Sequence, residues 1–515
     1  MHTITAALTA AVTALSPLAF SPSAAVAQTR GVEASQIRGF GAFAPSQTWG
    51  WGWNQFGQLG VGHARPAVNQ PVASAGNSRF KQVEPGFTHS LAIADDGTVW
   101  AWGDNSNGQL GTGTRTPSLT PVQVPGLANI VDVAAGQRFS LAVDGGGLVW
   151  AWGLNSSFQL GDGTTTERLS PRRIAAPQDI VELEAGGAFS LARGATGNAY
   201  GWGANNLGQL GDGTLVSRPL PIQMPNVGGV TDLAAGGVHG MAALSNGNVI
   251  TWGHNNSGQL GDGTLVRRTT PHSLGMSGVT SVDAGGAHSM ARDTLGRVWA
   301  WGANEAGQLG DGTQQKRLLA QQVPGLSGIA RIAAGSQSGY AQSAAGTAFA
   351  WGNNGMGEAG DATLTTRTLP KAIAQPGFTS FAASATSRHV LALRDLGAAV
   401  PPDRPGVVVI ADPSEAKLPP GGFITVRVRT EPVAGFAGPV HLAVTGLPPQ
   451  VTATFEPPDV RPGEPADLTL THEPGATSSE RPFQLTVLAQ TTENLALDLF
   501  TLTVITTLTA DPRPA

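Results

Sequence analysis

A Trp-Gly pair returns along most of this chain, at Trp51-Gly52, Trp102-Gly103, Trp152-Gly153, Trp202-Gly203, Trp252-Gly253, Trp301-Gly302 and Trp351-Gly352. Successive intervals of 51, 50, 50, 50, 49 and 50 residues demand a fold made of one repeated unit. Within a unit, Trp102-Gly103-Asp104-Asn105 leads to Gly108-Gln109-Leu110-Gly111. Four short runs follow: Pro121–Val124, Ile130–Ala135, Phe139–Asp144 and Leu148–Gly153. Each is β-branched or alternating and is bounded by Gly, Pro or Asp, so the four read as the strands of one sheet. A sheet this small cannot bury both faces alone. Repeated radially it packs on its neighbours and exposes only short edges, which makes the expected fold class all-β, a seven-bladed β-propeller. The indole that recurs at Trp51, Trp102, Trp152, Trp202, Trp252, Trp301 and Trp351 is the large side chain such blade packing needs, worth a few kcal/mol of burial each.

The ends of the array predict how the ring closes. The first copy begins at a Trp-Gly strand, Gln47–Gly52, with nothing before it. The last supplies Leu369–Ile373, Phe378–Ala383 and His389–Leu393 and stops short of its own Trp-Gly strand. The N-terminal strand is therefore expected to complete a blade otherwise built from residues 367–395, removing the unpaired edge.

Composition narrows function. Seventy Gly and 36 Pro with only 13% charged residues suit tight turns between strands. A formal net charge of −5, with no run of like charges, supplies no basic stripe for nucleic acid. The absence of Cys excludes thiol chemistry, disulfides and Cys-ligated zinc. The apolar stretch Ile4–Phe20, followed by Ala25-Val26-Ala27 and Gln28, reads as a signal peptide cleaved between Ala27 and Gln28. No later run is long and apolar enough to span a membrane. The expected product is a soluble bacterial protein, secreted, periplasmic or held at the cell surface.

The run Trp252-Gly253-His254-Asn255-Asn256-Ser257-Gly258-Gln259-Leu260-Gly261, continued by Ala284-Gly285-Gly286-Ala287-His288-Ser289-Met290-Ala291, resembles the signature of regulator-of-chromosome-condensation repeats. The resemblance covers residues 47–396 and implies a seven-bladed propeller. That family includes a guanine-nucleotide exchange factor for a small GTPase, a plant ultraviolet-B receptor and a secreted inhibitor of β-lactamases. Units of uniform length leave no room for the exchange factor's inserted wedge. Gly136-Gln137-Arg138-Phe139 and Gly286-Ala287-His288 lack the Trp of the receptor's Gly-Trp-Arg-His motif.

Two sets of repeated polar residues are candidate sites. His89, His239, His288 and His389 share one repeat position with Phe139, Phe189 and Ser338. A metal or pH switch is one reading. Separate blades should hold these histidines apart, however, and exchange with Phe favours packed side chains bonding local backbone. Asp162, Asp212, Asp262 and Asp311, with a partial copy at Asp361, stand in Gly-Asp-Gly-Thr runs. They form either a carboxylate ring on a loop face or simple turns, and Asp-Gly turn chemistry favours the latter. Arg115 stands where a calcium loop would need Glu. No nucleophile elbow, zinc-binding His-Glu-x-x-His or phosphate loop is present, so neither a catalytic residue nor a cofactor is expected.

The fifty-residue period ends before a Pro-rich linker, residues 397–406. Beyond it, Val407–Ile410, Phe423–Thr430, Val440–Thr445, Thr452–Phe455, Ala466–Thr471, Phe483–Ala489 and Leu499–Ile505 alternate like strands. Seven such strands predict an immunoglobulin-like β-sandwich over 407–508, and Ala453-Thr454-Phe455-Glu456-Pro457 resembles bacterial modules of that type. The remaining divisions are a leader at 1–27, an N-terminal linker at 28–46 and a tail at 509–515. The chain reads as an exported, non-catalytic, monomeric scaffold that binds a protein through its propeller loops. By resemblance, the alternatives are an exchange factor for a small GTPase and an inhibitor of an exported enzyme such as a β-lactamase.

Overall fold

The computed structural model describes residues 46–75, 79–373 and 377–395, and further on 406–412, 415–417, 423–433, 440–445, 451–461, 464–472, 483–491 and 498–505. The expected Ala27-Gln28 cleavage pair, the linkers on either side of the repeats except at their ends, and the 509–515 tail lie outside these residues. Every regular element described is a β-strand. The chain divides into two compact units, Met1–Asp395 and Leu396–Ala515.

The first unit is a β-propeller of seven four-stranded antiparallel sheets. Blade 2 pairs Phe80–Pro85, His89–Ala94, Val99–Gly103 and Ser118–Gln123 in that order. Blades 3 to 7 repeat the plan over residues 130–173, 180–223, 230–273, 279–322 and 329–372. The phase differs from the expectation. The strand holding Pro121 does not open the sheet of residues 130–153 but pairs with Val99–Gly103 as the outermost strand of the preceding blade. The Trp-Gly strand is thus third of four, joined to the fourth by the long Asn-x-x-Gly-Gln-Leu-Gly loop.

Ring closure changes accordingly. Blade 1 consists of Ala67–Ala73, Ser46–Trp53, His389–Asp395 and Phe378–Ala382. The N-terminus contributes two strands, not one, and Arg367–Ala372 belongs to blade 7. Ser46–Trp53 runs antiparallel to the C-terminal strand from Ser46↔Asp395 to Gly52↔His389, so the seam lies in the middle of a sheet.

Seven apolar clusters lie between successive blades, and each holds one of the recurrent tryptophans. Trp102 packs between blades 1 and 2 with Phe80, Ala382 and Leu391. Trp51 packs between blades 7 and 1 with Tyr340, Phe378 and Val390. The glycine after each Trp has φ between +95° and +103°. A Cβ on Gly103 would lie 2.6 Å from the Thr88 carbonyl oxygen, so only glycine lets the strands approach this closely.

The second unit contains two sheets, one ordered Gly406–Asp412, Phe423–Val433, Pro465–His472, Val451–Glu456. The other is ordered Glu415–Lys417, Asp498–Ile505, Phe483–Thr491, Val440–Thr445, Asp459–Val460. The seven long strands coincide with the seven read from sequence. The two short ones, too brief to show alternation, were not legible. Val426, Val428, Ala466, Leu468 and Leu470 are buried, and the pairs Val426↔Leu468 and Val428↔Ala466 put them on one face.

Candidate functional site

Three places in the propeller gather polar side chains: the central cavity, the junctions between blades, and the loops after the Trp-Gly strands. The first strand of each blade is innermost, and these strands converge on a cavity of about 90 Å³ lined by Gln82, Glu182, Asp232, Asp283, Arg292 and Arg331 among others. That is small beside the roughly 300 Å³ or more of a ligand pocket. The acids of the inner strands already have work in the ring. Asp132 accepts from Gln82 Nε2 at 2.7 Å and from the Leu183 backbone N–H at 2.8 Å. Asp232 accepts from the Val282 N–H at 2.7 Å. Carboxylates on one inner strand thus tie down the backbone of the next. Burial pulls the Arg292 guanidinium below its usual range against the favourable charges of Asp232 and Asp293, and burial also lowers Arg331. No group of three or more His, Asp or Glu among the described residues is arranged to hold a metal ion.

At the blade junctions the recurrent histidines take a different part from the one expected. They do not bond local backbone. His89 Nε2 meets Ser140 Oγ of the next blade at 2.9 Å, His239 Nε2 meets Ser289 Oγ at 2.9 Å, and His389 Nε2 meets Ser90 Oγ at 2.9 Å. Each serine hydroxyl donates to a Gln carbonyl of the histidine's own blade: Ser140 to Gln109 at 2.8 Å, Ser289 to Gln259 at 2.8 Å, Ser90 to Gln58 at 2.7 Å. Its lone pair therefore accepts from imidazole Nε2–H, which fixes the neutral tautomer. The same Gln carbonyl receives the indole N–H of the next blade, as Trp152 to Gln109 at 2.8 Å and Trp301 to Gln259 at 3.0 Å. One blade gives imidazole and carbonyl; the next gives hydroxyl and indole. At the seam, Trp51 Nε1 donates to the Glu358 carbonyl at 2.9 Å.

Burial lowers all four imidazoles, His89 and His288 to about 4 and His239 and His389 to about 3. Nor are they isolated: the charge of His288 adds to the lowering of His239, and that of His89 to His389. No serine of the next blade stands opposite His288, because Gly339 takes the place that Ser holds in blades 2, 3, 4 and 6, and a Cβ there would lie 2.4 Å from Trp351. Phe139 and Phe189 occupy the same register against Gly153 and Gly203.

The loop aspartates do not form an open acidic ring. Asp162, Asp212, Asp262, Asp311 and Asp361 are each engaged by the Arg six residues on, with Nε–Oδ2 distances of 2.7–2.9 Å. Burial pushes the Asp262 carboxyl up, but hydrogen bonds from Thr264, Arg268 and Asn255 outweigh it and hold it low; Asp361 falls to about 2. The hub of each loop is a fully buried Asn. Asn255 Nδ2 reaches Asp262 Oδ1, the Thr264 carbonyl and the Val266 carbonyl, each at 3.1 Å, while its Oδ1 accepts from Leu260 N–H at 2.9 Å. Replacing Asn255 by Ala orphans these groups, and a loss of about 3 kcal/mol is expected in urea unfolding of the propeller. A loss below about 1 kcal/mol would show that solvent substitutes for the amide.

With the loop ends clasped, the two residues after the loop Thr are exposed in blades 3 to 7. In blade 4 these include Leu215 and Val216, the latter 61% exposed; in blade 5, Leu265 and Val266, the latter 62% exposed. Exposed Arg267 follows in blade 5, and exposed Lys316 holds the matching place in blade 6. The Gly213 N–H donates to the Thr269 carbonyl of blade 5 at 2.8 Å, so successive loops lean on the next blade and their tips are neighbours. Arg115 pairs with Glu167 across the loops of blades 2 and 3. Sequence reading passed over the apolar tips and the Arg clasps. An Arg or Ser at constant offset from Asp or His was visible, but the blade that receives it was not.

The model of the regulator of chromosome condensation (RCC1) repeat matches residues 47–93, 96–143, 146–193, 196–243, 246–292 and 296–341. Among curated proteins, the ultraviolet-B receptor UVR8 of Arabidopsis thaliana is 36% identical over 85 residues, 16% of this chain and 19% of the receptor. The human E3 ubiquitin-protein ligase HERC2 is 40% identical over 82 residues, 15% of this chain and 2% of the ligase. The matches therefore span under a fifth of these relatives' own lengths. Among solved structures, Prp20p of Saccharomyces cerevisiae superposes with a TM-score of 0.63 at 21% identity, covering 70% of this chain and 94% of that one. Human WBSCR16 gives 0.62 at 23% identity, covering 68% and 99%. At these identities the structural likeness speaks for the fold.

Proposed function

This chain belongs to the regulator of chromosome condensation (RCC1) repeat family, and from that premise we propose that it is a non-catalytic scaffold whose propeller loops bind a protein partner. The observation that carries this reading is the pair of apolar tips Leu215-Val216 and Leu265-Val266 on consecutive loops. Their loop backbones are held by Asn, Asp, Thr and Arg, so these side chains contribute nothing to the clasp. Exposed apolar groups grouped in this way mark interaction surfaces. Arg267 and Lys316 beside them favour a partner that offers apolar and acidic side chains together. The chemistry-bearing side chains support the same reading. His89, His239 and His389, the loop aspartates and the inner-strand acids are bonded within the ring, and His288 is buried. One family member whose structure is known, yeast RCC1 (Prp20), has been crystallised bound to Kap60.

Export is part of the proposal, supported by the Ile4–Phe20 apolar run and the Ala25-Val26-Ala27 pattern. So is an immunoglobulin-like role for the second unit as a spacer or display module, supported by its two sheets of four and five strands. The test uses the full-length chain immobilised against culture supernatant and envelope extract, beside the Val216→Glu, Val266→Glu double variant. The native chain is expected to retain a saturable partner that the variant binds at least tenfold more weakly, with an unchanged thermal transition. Equal retention by both, or none by either, retires the loop-face reading.

A further inference from the structure

The innermost strand of each blade shifts register once against its neighbour. The residue that follows the shift is Gln82, Asp132, Glu182, Asp232, Ser281, Arg331 or Ser380. All of these but Asp132 line the central cavity. In blades 3, 4 and 5 the residue is an acid that holds a backbone N–H of the next blade. Asp132 holds that of Leu183, Glu182 that of Leu233 at 3.3 Å, and Asp232 that of Val282. Blade 6 ends the run of acids with Ser281, and blade 7 follows with Arg331.

Blade 4 shows what the acid does in full. Glu182 faces Arg193 across the ladder. One of its carboxylate oxygens accepts from Arg193 Nε and the other from the Leu233 N–H. Blade 6 keeps the arginine and loses the acid. Arg292 faces Ser281 as Arg193 faces Glu182. Its Nε, the atom that bonds the carboxylate in blade 4, is buried without a hydrogen-bond partner. The N–H equivalent to that of Leu233 belongs to Ile332, and Ser281 brings it no carboxylate. The acids whose charge reaches Arg292 are Asp232 and Asp293, which bond the Val282 N–H and Arg297 Nε. Arg331 adds a second cation to the same wall. A cation drawn out of water without a bonded counter-charge is costly.

We propose that the central cavity binds a small free carboxylate at blades 6 and 7, in the place that Glu182 fills in blade 4. One oxygen accepts from Arg292 Nε and the other from the Ile332 N–H, while Arg331 supplies further positive charge. Ser281, shorter than glutamate, leaves the room that the carboxyl group needs. The planar fork of a guanidinium matches a carboxylate better than a spherical halide. A cavity of about 90 Å³ admits an anion of acetate size and excludes larger metabolites. The ligand completes the set of links by which one inner strand holds the next. This site is independent of the loop-face reading.

The test titrates acetate into the full-length chain in a carboxylate-free chloride buffer, at constant ionic strength. The thermal transition of the native chain should rise saturably, by about 2 °C or more, and the carbon-13 line of labelled acetate should broaden. Ser281→Glu builds the blade 4 pair into blade 6. Its transition without acetate should match that of the native chain with acetate, and added acetate should move it no further. Arg292→Gln removes the stranded cation and should fold as stably as the native chain in chloride, again with no acetate response. A native transition that acetate does not raise above the chloride control overturns the proposal. So does a response that survives in both variants. A rise with phosphate and none with acetate would overturn the carboxylate assignment and give the site to a tetrahedral oxyanion.

Discussion

Removal of residues 1–74 is expected to abolish the cooperative thermal unfolding transition of the propeller. The truncation takes both Ser46–Trp53 and Ala67–Ala73 out of blade 1 and leaves only Phe378–Ala382 and His389–Asp395. It also deletes Trp51 from the cluster with Tyr340 and Phe378, and deletes the indole that donates to the Glu358 carbonyl across 307 residues. Losing a buried Trp alone costs about 3–5 kcal/mol, and a domain's whole stability is on the order of 5–15 kcal/mol. The expected product is therefore expanded and aggregation-prone, with an exposed strand edge. Added in trans, a peptide of residues 46–75 should restore part of the near-ultraviolet circular dichroism. A truncated chain that kept a cooperative transition within a few degrees of the native one would show that the seam contributes little to the ring.

The second large effect is in acid. His89, His239, His288 and His389 are neutral and buried, with pKa values lowered to between about 3 and 4. The unfolded chain takes up these protons near pH 6.5, the folded chain only well below. Between those limits the unfolded state binds more protons, so stability falls as pH falls. At pH 5 each histidine contributes about 2 kcal/mol of that loss, and the four together threaten the fold. The expected result is a steep drop in urea midpoint from pH 7 to pH 5. His89→Phe with His389→Phe should roughly halve the slope, because Phe139 and Phe189 already fill this place and Ser190 keeps its bond to the Gln159 carbonyl opposite Phe139. An unchanged slope would assign the acid response to other groups.

Why Phe and His exchange was partly legible. Either ring lies where a Cβ on the preceding glycine would intrude, as on Gly136 against Phe139 at 2.1 Å and on Gly236 against His239 at 2.2 Å. The sequence shows that glycine three residues before the ring at His89, Phe139, Phe189, His239 and His288, and so it shows a packed position. It does not show the serine partner, because Ser140 is read beside Phe139 in its own strand, whereas its hydrogen bond to His89 comes from a blade 51 residues away.

The phase of the sheets was hidden for a related reason. The sequence marks Pro121–Val124 as a strand but says nothing of which neighbour it pairs with, and a buried Asn holds the fourteen-residue connection from Gly103 to Ser118 without any pattern of its own. Ala67–Ala73 was missed because a strand after the first Trp-Gly pair has no following unit in which its place was sought, although its Pro71 matches Pro121 and proline is a fitting residue at an outer edge. The Trp-Gly period, by contrast, needs no partner to be seen: each indole is fully buried, and the glycine beside it is required by its own backbone geometry.

The loop clasp has a consequence for how such a protein could acquire binding specificity. Asp and Thr fix one end of each loop and Arg the other, leaving Thr165-Thr166, Leu215-Val216, Leu265-Val266, Gln314-Gln315 and Leu364-Thr365 as interchangeable exposed pairs. The Asn hub holds the second residue of each by its backbone carbonyl, as with Val216 at 3.2 Å and Gln315 at 3.0 Å, so any side chain fits there at little cost to the frame. The ring is in that sense a dial of short cassettes. Transplanting Leu-Val from one loop to another would carry the apolar tips around the circumference, and new partners could be drawn from a library of ten side chains with the propeller itself untouched.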